Sequence, residues 1–170
     1  TVVKGEPIEH LLFKDPQTGE RYTHEGDVTF YKLQQRNVFG QNGYIDPNSI
    51  EDYIARGGYG ALGLAFGKDG AAVIDEVTQA GLRGRGGGGF AAGRKWQTVR
   101  QASGDAKHLI CNADEGDPGA YMDRSILEGN PHRVIEGMVI AAYAVAATAG
   151  YVYVRLEYPL AVQNLGIAID

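Results

Sequence analysis

The stretch KHLICNAD, residues 107–114, predicts a buried β-strand that runs into polar side chains at its carboxyl end. It is followed by NPHRVIEGMVIAAYAVAATAG, which predicts a long helix over 130–150, capped by Asn130 and ended by Gly150. A second strand, YVYVRLEY, is predicted over 151–158. Strand, helix and strand with these spacings are typical of a parallel, right-handed α/β unit.

Capping residues mark two further helices on the amino-terminal side of this unit. Asp46, with Pro47 directly after it, predicts the start of a helix that Gly57 ends. Asp69 predicts the start of a second helix, which ends at Gly81. We therefore expect an irregular, extended segment over 1–45 and an α/β domain over 46–170.

A last helix begins at Pro159 and shows no stop signal before the chain ends. Its Leu160, Leu165 and Ile167 require a core that the remaining sequence cannot fully supply. The chain is therefore interpreted as a fragment of a longer protein, incomplete at the carboxyl end. A frayed terminal helix is the alternative, because chain termini are often loose.

Composition limits the functional classes. The net charge of −5 over 170 residues argues against nucleic-acid binding, which requires a basic surface. The opening residues TVVKGEPIEH do not predict a signal peptide, and no apolar run is long enough to predict a membrane span. The one cysteine, Cys111, excludes a disulfide framework and an iron–sulfur cluster held by this chain alone. These features predict a protein of a reducing compartment, the cytoplasm.

The most unusual segment is GLRGRGGGGF, residues 81–90, because six glycines in ten positions are costly in backbone entropy. Gly84, Gly86 and Gly89 match the pattern G-x-G-x-x-G of dinucleotide-binding loops. In the standard Rossmann fold, however, that pattern follows a strand, whereas here it follows a helix. It is not a P-loop either, because no Gly-Lys-Ser or Gly-Lys-Thr follows.

The neighbours of these glycines nevertheless favour a ligand over a plain flexible linker. Residues without Cβ atoms allow backbone N–H groups to approach a flat or anionic molecule closely. Four cations and two aromatic rings lie within the same short stretch: Arg83, Arg85, Arg94, Lys95, Phe90 and Trp96. Together they suit a phosphorylated heteroaromatic ligand. A flexible surface loop remains the alternative.

A second candidate segment, CNADEGDPGAYMDR at residues 111–124, combines four carboxylates: Asp114, Glu115, Asp117 and Asp123. Open α/β sheets bind ligands at the carboxyl ends of their strands, where this segment is predicted to lie. The segment does not match an EF-hand, because the glycine falls at the wrong loop position and the last ligand position is not glutamate. Carboxylates here can accept hydrogen bonds from ribose hydroxyls, which favours NAD over NADP. A solvated acidic turn is the alternative.

Other reactive residues are given structural interpretations. The histidines at positions 10, 24, 108 and 132 lack metal-ligand spacing, so no metal site is predicted. Cys111 is interpreted as a small buried residue of the strand rather than a nucleophile. Arg133 and Glu136 are interpreted as an ion pair on the surface of the long helix.

Two motifs together, GLRGRGGGGFAAGRKW and ICNADEGDPGAYMDRSILEGNPHRVIEGM, resemble the NADH-binding flavoprotein subunits of redox complexes. That family includes the 51-kDa subunit of respiratory complex I and subunits of NAD(P)-linked hydrogenases and formate dehydrogenases. The similarity runs from about Lys4 to the last residue. The lead-in KGEPIEHLLFKDP is most similar to the beta subunit of NAD-dependent [FeFe]-hydrogenases, many of which bifurcate electrons.

The resemblance implies a Rossmann-like domain with FMN bound between the glycine loop and the acidic strand end. Positions matching Gly84, Arg85, Gly86 and Gly87 line the flavin in this family, and Lys95 matches a lysine close to it. Those matching Asn112, Asp114 and Glu115 bond to the flavin side of the pocket. Phe90 and Asp117 match residues beside the nicotinamide nucleotide, and Gly89 completes the loop fingerprint.

The sequence departs from complex I at several of these positions. Asp117 stands where that family has glutamate, Gly88 where it has alanine, and Ala91-Ala92 where it has Pro-Thr. The resemblance also implies NAD(H) as substrate and iron–sulfur clusters in a missing carboxyl-terminal part and in partner subunits. Expected partners are a catalytic hydrogenase subunit and a small 2Fe-2S subunit. A complex I or formate dehydrogenase subunit and a non-catalytic nucleotide-binding module are the alternatives.

Overall fold

A computed structural model describes residues 5–170, which form two units, one ending at Gly40 and one running from Gln41 to Asp170. The first unit contains a small antiparallel hairpin and a short helix. The Asp15 side chain accepts the backbone N–H groups of Gln17 and Thr18 and so stabilises the hairpin turn. The elements of this unit are β1 (Phe13–Lys14), β2 (Arg21–Tyr22) and α1 (Thr29–Lys32).

The second unit has helices before, between and after two parallel strands. In chain order these elements are α2 (Ile50–Ala55), α3 (Gly60–Phe66), α4 (Gly70–Gln79), α5 (Ala92–Gln101), β3 (His108–Ala113), α6 (Met122–Gly129), α7 (Pro131–Val145), β4 (Ala149–Val154) and α8 (Pro159–Ile169). Within residues 5–170, no helix combines the length and apolarity needed to cross a membrane.

The parallel pairing of β3 with β4 confirms the predicted α/β architecture. The register runs from His108 opposite Ala149 to Ala113 opposite Val154. Helices α6 and α8 pack against each other and against α7, and Leu127, Ala161 and Leu165 are almost fully buried between the helices and the sheet. These side chains form the larger of the hydrophobic clusters that position the carboxyl ends of the strands.

The prediction that β3 is buried was wrong for one of its faces. Ile110 is 67 % exposed, and Tyr151 and Tyr153 on β4 are 58 % and 62 % exposed. Successive side chains of a strand point to opposite faces of the sheet. Only the face toward α7 and α8 is covered within the described residues, so the strand alternates between partly buried and exposed positions.

Two predicted helix ends also differ from the structure. The first helix is capped by Ser49, whose hydroxyl accepts the N–H of Asp52, whereas Asp46 forms the preceding turn by accepting the N–H of Asn48. The long helix ends at Val145, where Ala146 takes a left-handed conformation, and Gly150 lies inside β4. The predicted caps Asp69 and Asn130 are confirmed: Asp69 accepts two N–H groups of the first helical turn, and Asn130 accepts the N–H of Arg133.

The α4–α5 pair forms a close helical hairpin that carries the glycine-rich segment at its closed end. A Cβ atom on Gly93 would lie 2.1 Å from Oγ1 of Thr78 and 2.9 Å from its Cα, so the two helices touch at this point. At the open end, Arg100 donates a hydrogen bond of 2.7 Å to the carbonyl of Ala144 at the end of α7. The hairpin is therefore held by close helix packing at its closed end and by a hydrogen bond to α7 at its open end.

Candidate functional site

The base of the glycine loop is closed by backbone pairing. Arg83 and Ala91 form an antiparallel bridge, and the N–H of Gly84 donates to the carbonyl of Phe90 over 2.8 Å. The Arg83 guanidinium donates a further bond of 2.9 Å to the carbonyl of Gly89. These contacts make residues 84–90 a defined loop rather than a flexible connection, although its tip is exposed.

The glycines at the tip are not explained by packing within the described chain. Gly87 and Gly89 have φ angles of +92° and +57°, which favour glycine for conformational reasons. Gly86 has no such angle, and a Cβ atom placed on it would meet no atom within 4 Å. The backbone of Gly86 is therefore free to contact a bound molecule closely.

Basic side chains surround this loop without acidic partners. Arg85 and Lys95 are exposed, and neither forms an ion pair within residues 5–170. The Arg94 guanidinium lies 5.9 Å from the centre of the Phe90 ring, which is itself 52 % exposed. The loop also leads directly into α5, whose N-cap residue Ala91 provides no side-chain acceptor. Unpaired cations and a helix N-terminus together favour an anionic group.

The acidic segment follows β3, as predicted, and Glu115 is its most constrained residue. Its carboxylate accepts the N–H groups of Asp123 and Arg124, at 2.8 and 3.1 Å, and thereby caps α6. The Tyr158 hydroxyl donates to the same carboxylate over 3.1 Å. Burial raises the pKa of Glu115, but these hydrogen bonds outweigh it, so its pKa lies below the ordinary value.

The other acidic positions differ in environment. The Asn112 side chain accepts the N–H of Asp114 over 3.2 Å, and Asp117 is exposed. Burial, and then the charge of Glu115, raise the pKa of Asp123. Burial, followed by the charge of Asp123, likewise raises the pKa of the Cys111 thiol. This segment therefore contains one carboxylate, Glu115, whose charged form is stabilised, and two groups, Asp123 and Cys111, that hold their protons more tightly.

No hydrogen bond or ion pair joins the glycine loop to residues 112–117 within the described part of the chain. The end of α5 and the start of β3 lie close together. There Lys107 donates to the carbonyl of Arg100, and the N–H of Thr148 donates to the carbonyl of Lys107. Helix α5 is about 15 Å long and β3 is about 20 Å long. The glycine loop and the acidic segment lie at the opposite ends of these two elements.

Some residues at the strand ends give no signal in the sequence. Arg155 and Tyr158, which follow β4, both bond to Glu115, more than 35 positions earlier. Neither belongs to a motif, and only the parallel pairing of β3 with β4 brings them to this place. Their identification as neighbours of the acidic segment needed the structure.

The interpretation of Glu136 as a surface residue was wrong. It is 8 % exposed and accepts hydrogen bonds from the Tyr53 hydroxyl, at 2.5 Å, and from the N–H of Leu62, at 3.0 Å. His132 is also buried, and its Nδ1 lies 2.9 Å from the Tyr59 hydroxyl. Across residues 5–170, the structure shows no group of three or more His, Cys, Asp or Glu side chains placed to hold a metal ion.

Comparison with known proteins identifies relatives across most of the chain. Residues 77–170, which contain both candidate segments, match the family model of the Nuo51 FMN-binding domain. The chain is 51 % identical over 143 residues to the NADP-reducing hydrogenase subunit HndC of Solidesulfovibrio fructosivorans. This alignment covers 84 % of the chain and 29 % of that relative.

Two further relatives represent other kinds of complex. An NADH-quinone oxidoreductase subunit of Escherichia coli (strain K12) is 42 % identical over 125 residues, covering 72 % of this chain and 28 % of the relative. A crystal structure of an NAD⁺-reducing [NiFe]-hydrogenase in the air-oxidized state matches with a TM-score of 0.57 and 43 % identity. The structural match covers 59 % of this chain and 18 % of the hydrogenase chain.

The chain thus spans less than a third of the length of these curated relatives. Its glycine loop and acidic strand end both lie within the matched domain, and the alignments agree with the resemblance inferred from the two motifs. The chain belongs to the Nuo51 FMN-binding domain family.

Proposed function

We propose that the whole protein is a diaphorase subunit, which moves electrons between NADH and iron–sulfur clusters through FMN in a soluble, cytoplasmic complex. The main support for this proposal is the open backbone of the glycine loop. Its tip includes Gly86, for which neither backbone conformation nor packing in this chain requires glycine. Membership in an FMN-binding family supplies the ligand class that such a loop fits.

The residues present fit a phosphorylated flavin. At Gly86 a Cβ atom would meet no atom within 4 Å, so the backbone there is open to a flat ring. The buried Nε of Arg155, beside the acidic segment, has no acceptor within the described residues. An uncompensated donor at this place suits a polar ligand, because buried polar groups are normally hydrogen-bonded.

FMN supplies the chemistry when bound, since it exchanges a hydride with nicotinamide and single electrons with iron–sulfur clusters. The chain has to hold and orient the two rings. We assign the glycine loop, residues 84–89, to the flavin face and Phe90 to the nucleotide. Arg85 and Lys95 provide positive charge that favours a reduced, anionic flavin.

The acidic segment completes the proposed site. Asn112, Asp114 and Glu115 would bond to the flavin side, and Asp117 would face the nucleotide. Because Asp117 is one methylene shorter than glutamate, its reach is reduced relative to that of the complex I family. Carboxylates near a ribose favour NADH over its 2′-phosphorylated form, so we propose NADH as the substrate, although the relative HndC is named as NADP-reducing.

Among complexes, we favour a hydrogenase, in which a catalytic subunit and a small 2Fe-2S subunit are the partners. The support is identity: HndC shares 51 % of aligned residues with this chain, whereas the NADH-quinone oxidoreductase subunit of Escherichia coli shares 42 %.

Two glycine substitutions test the proposal in the full-length protein assembled with its partners. Gly86→Ala adds a Cβ that the fold can accommodate but a flavin in contact with the loop cannot. We expect FMN affinity to fall at least about tenfold, the scale of an overpacked contact. Gly88→Ala is the matched control, because it places alanine where the complex I family has it. FMN affinity is measured by the quenching of flavin fluorescence on titration.

The wild-type complex should contain flavin whose absorbance is bleached by NADH. Retained FMN affinity in Gly86→Ala would contradict the assignment of the loop to the flavin. A wild-type complex with neither flavin nor NADH-dependent bleaching would contradict the enzymatic role itself and favour a scaffold module.

A further inference from the structure

We infer that Tyr158 and Arg155 are positioning residues, which hold Glu115 and the acidic segment in the geometry that the proposed flavin and nucleotide site needs. The inference rests on the proposed function. It concerns residues outside both motifs, and it starts from the hydrogen bonds that converge on Glu115.

Glu115 has a backbone conformation that requires support. Its φ angle is +49°, in the left-handed region that residues with a Cβ atom rarely adopt. Such a conformation persists only where surrounding contacts determine it.

The supporting contacts come from both sides of the sheet edge. From α6, the N–H groups of Asp123 and Arg124 bond to the carboxylate of Glu115. Two residues that follow β4 also bond to Glu115. Arg155 donates to the Glu115 carbonyl over 2.9 Å, and the Tyr158 hydroxyl donates to the Glu115 carboxylate over 3.1 Å. Backbone and side chain are thus both held by residues that follow the partner strand.

Tyr158 is itself fixed in place. It is 7 % exposed and packs in the cluster of Ala113, Leu127 and Leu165. The guanidinium groups of Arg124 and Arg155 each lie 5.5 Å from the centre of its ring, a distance at which cations stabilise aromatic rings. Because the ring is fixed by its packing against α6 and α8, its hydroxyl holds the Glu115 carboxylate in one position.

The consequence concerns the geometry of the site rather than its chemistry. Asn112, Asp114 and Asp117 flank Glu115 closely in sequence, so a shift of its backbone displaces these ligand candidates. Small displacements of binding groups weaken binding and orientation even when every group is still present. Loss of the Tyr158 hydroxyl should therefore reduce ligand affinity while the fold is retained.

The test uses Tyr158→Phe in the full-length protein assembled in its complex. The ring and its packing remain, and only the hydroxyl is lost. We expect FMN affinity, measured by fluorescence titration, to fall roughly threefold to tenfold, the value of about one net hydrogen bond. Hydrogen exchange at the amides of Asp123 and Arg124, which donate to the Glu115 carboxylate, should become faster. Tyr151→Phe is the matched control, because it removes the same hydroxyl from a tyrosine that forms no hydrogen bond to Glu115 within the described residues.

A double-mutant cycle distinguishes positioning from an independent effect. If Tyr158 acts through Glu115, its substitution should have little further effect on FMN affinity in a Glu115→Ala background, which removes the acceptor of its hydroxyl. Additive effects would overturn the inference, as would unchanged affinity and exchange in Tyr158→Phe.

Amide hydrogen exchange in the wild-type complex tests the inference without any variant. The amides of Asp123 and Arg124 should be protected more strongly than those of glycine-loop residues 86–88, and equal rates would contradict the positioning role. Absence of flavin from the wild-type complex would instead reject the proposed function, and the two failures remain distinguishable.

Discussion

Single residues with partners far away in sequence account for much of what sequence reasoning missed. Glu136 lies among apolar residues of α7, and its spacing from Arg133 suggested a surface ion pair. Its hydrogen-bond partner is Tyr53, 83 positions earlier, which no local pattern can reveal. Glu115 is similar, because the sequence indicates its acidity but not the backbone strain or its role as the cap of α6.

The Tyr53–Glu136 contact yields a prediction at this scale. Tyr53→Phe leaves a buried carboxylate with one partner fewer, so we expect it to lower the free energy of unfolding at neutral pH by about 1–3 kcal/mol. Chemical denaturation at equilibrium measures this difference. Tyr151→Phe, which removes an exposed hydroxyl, should stay within about 0.5 kcal/mol of the wild type.

The pH dependence of stability provides a second test of the Tyr53–Glu136 hydrogen bond. Burial, and then the hydrogen bond to Glu136, raise the pKa of Tyr53 above its ordinary value of 10.0. Below pH 10.0 the stabilisation is fully present, and as the pH rises beyond that value the unfolded state loses its proton first. The stability difference between wild type and Tyr53→Phe should therefore shrink above about pH 10. A constant difference would contradict the hydrogen bond as its source.

At the scale of elements, helix starts were predictable where one side chain dominates the local hydrogen bonds. Asp69 and Asn130 are such cases. Asp46 is not, because its side chain can stabilise either a helix start or a turn, and Ser49 competes for the cap. Helix α3, GALGLAF, has two glycines that disfavour a helix. Tertiary packing of Ala65 against α4 and α7 outweighs that local preference.

The contact between α4 and α5 makes a prediction at this scale. Gly93→Ala would bring a Cβ atom within 2.9 Å of the Thr78 Cα, and we expect a loss of about 1–3 kcal/mol in unfolding free energy from overpacking. Gly166→Ala in α8 meets no atom within 4 Å and should stabilise by about 0.5–1 kcal/mol through helix propensity. Thermal unfolding of the two variants compares them directly. A stabilised Gly93→Ala would show that the helices do not pack as tightly as described.

At the scale of the whole molecule, the order of strands and helices was enough to predict the α/β class, because a parallel pair requires a crossover connection. The two motifs were enough to indicate the family. The exposed face of the sheet was not predictable, since a strand with Leu109, Ile110 and Cys111 in succession is typical of burial on both faces. The observed exposure reflects which layers pack on the sheet within the described residues, and a strand's own sequence does not contain that information.

This exposed face predicts how the 170-residue chain should behave when purified alone. Ile110, Tyr151 and Tyr153 form an apolar surface on a sheet of only two strands, whose outer edges expose unpaired backbone groups. Such surfaces drive association, so we expect concentration-dependent oligomers in analytical ultracentrifugation. Replacing Ile110 and Tyr153 by lysine should shift the distribution toward monomer, because charge on an exposed strand opposes edge pairing. A matched pair of lysines at the exposed polar positions Gln97 and Gln101 of α5 should leave association unchanged. A wild-type chain that stays monomeric at about 100 μM would show that this face needs no cover, since apolar patches of this kind normally associate at such concentrations.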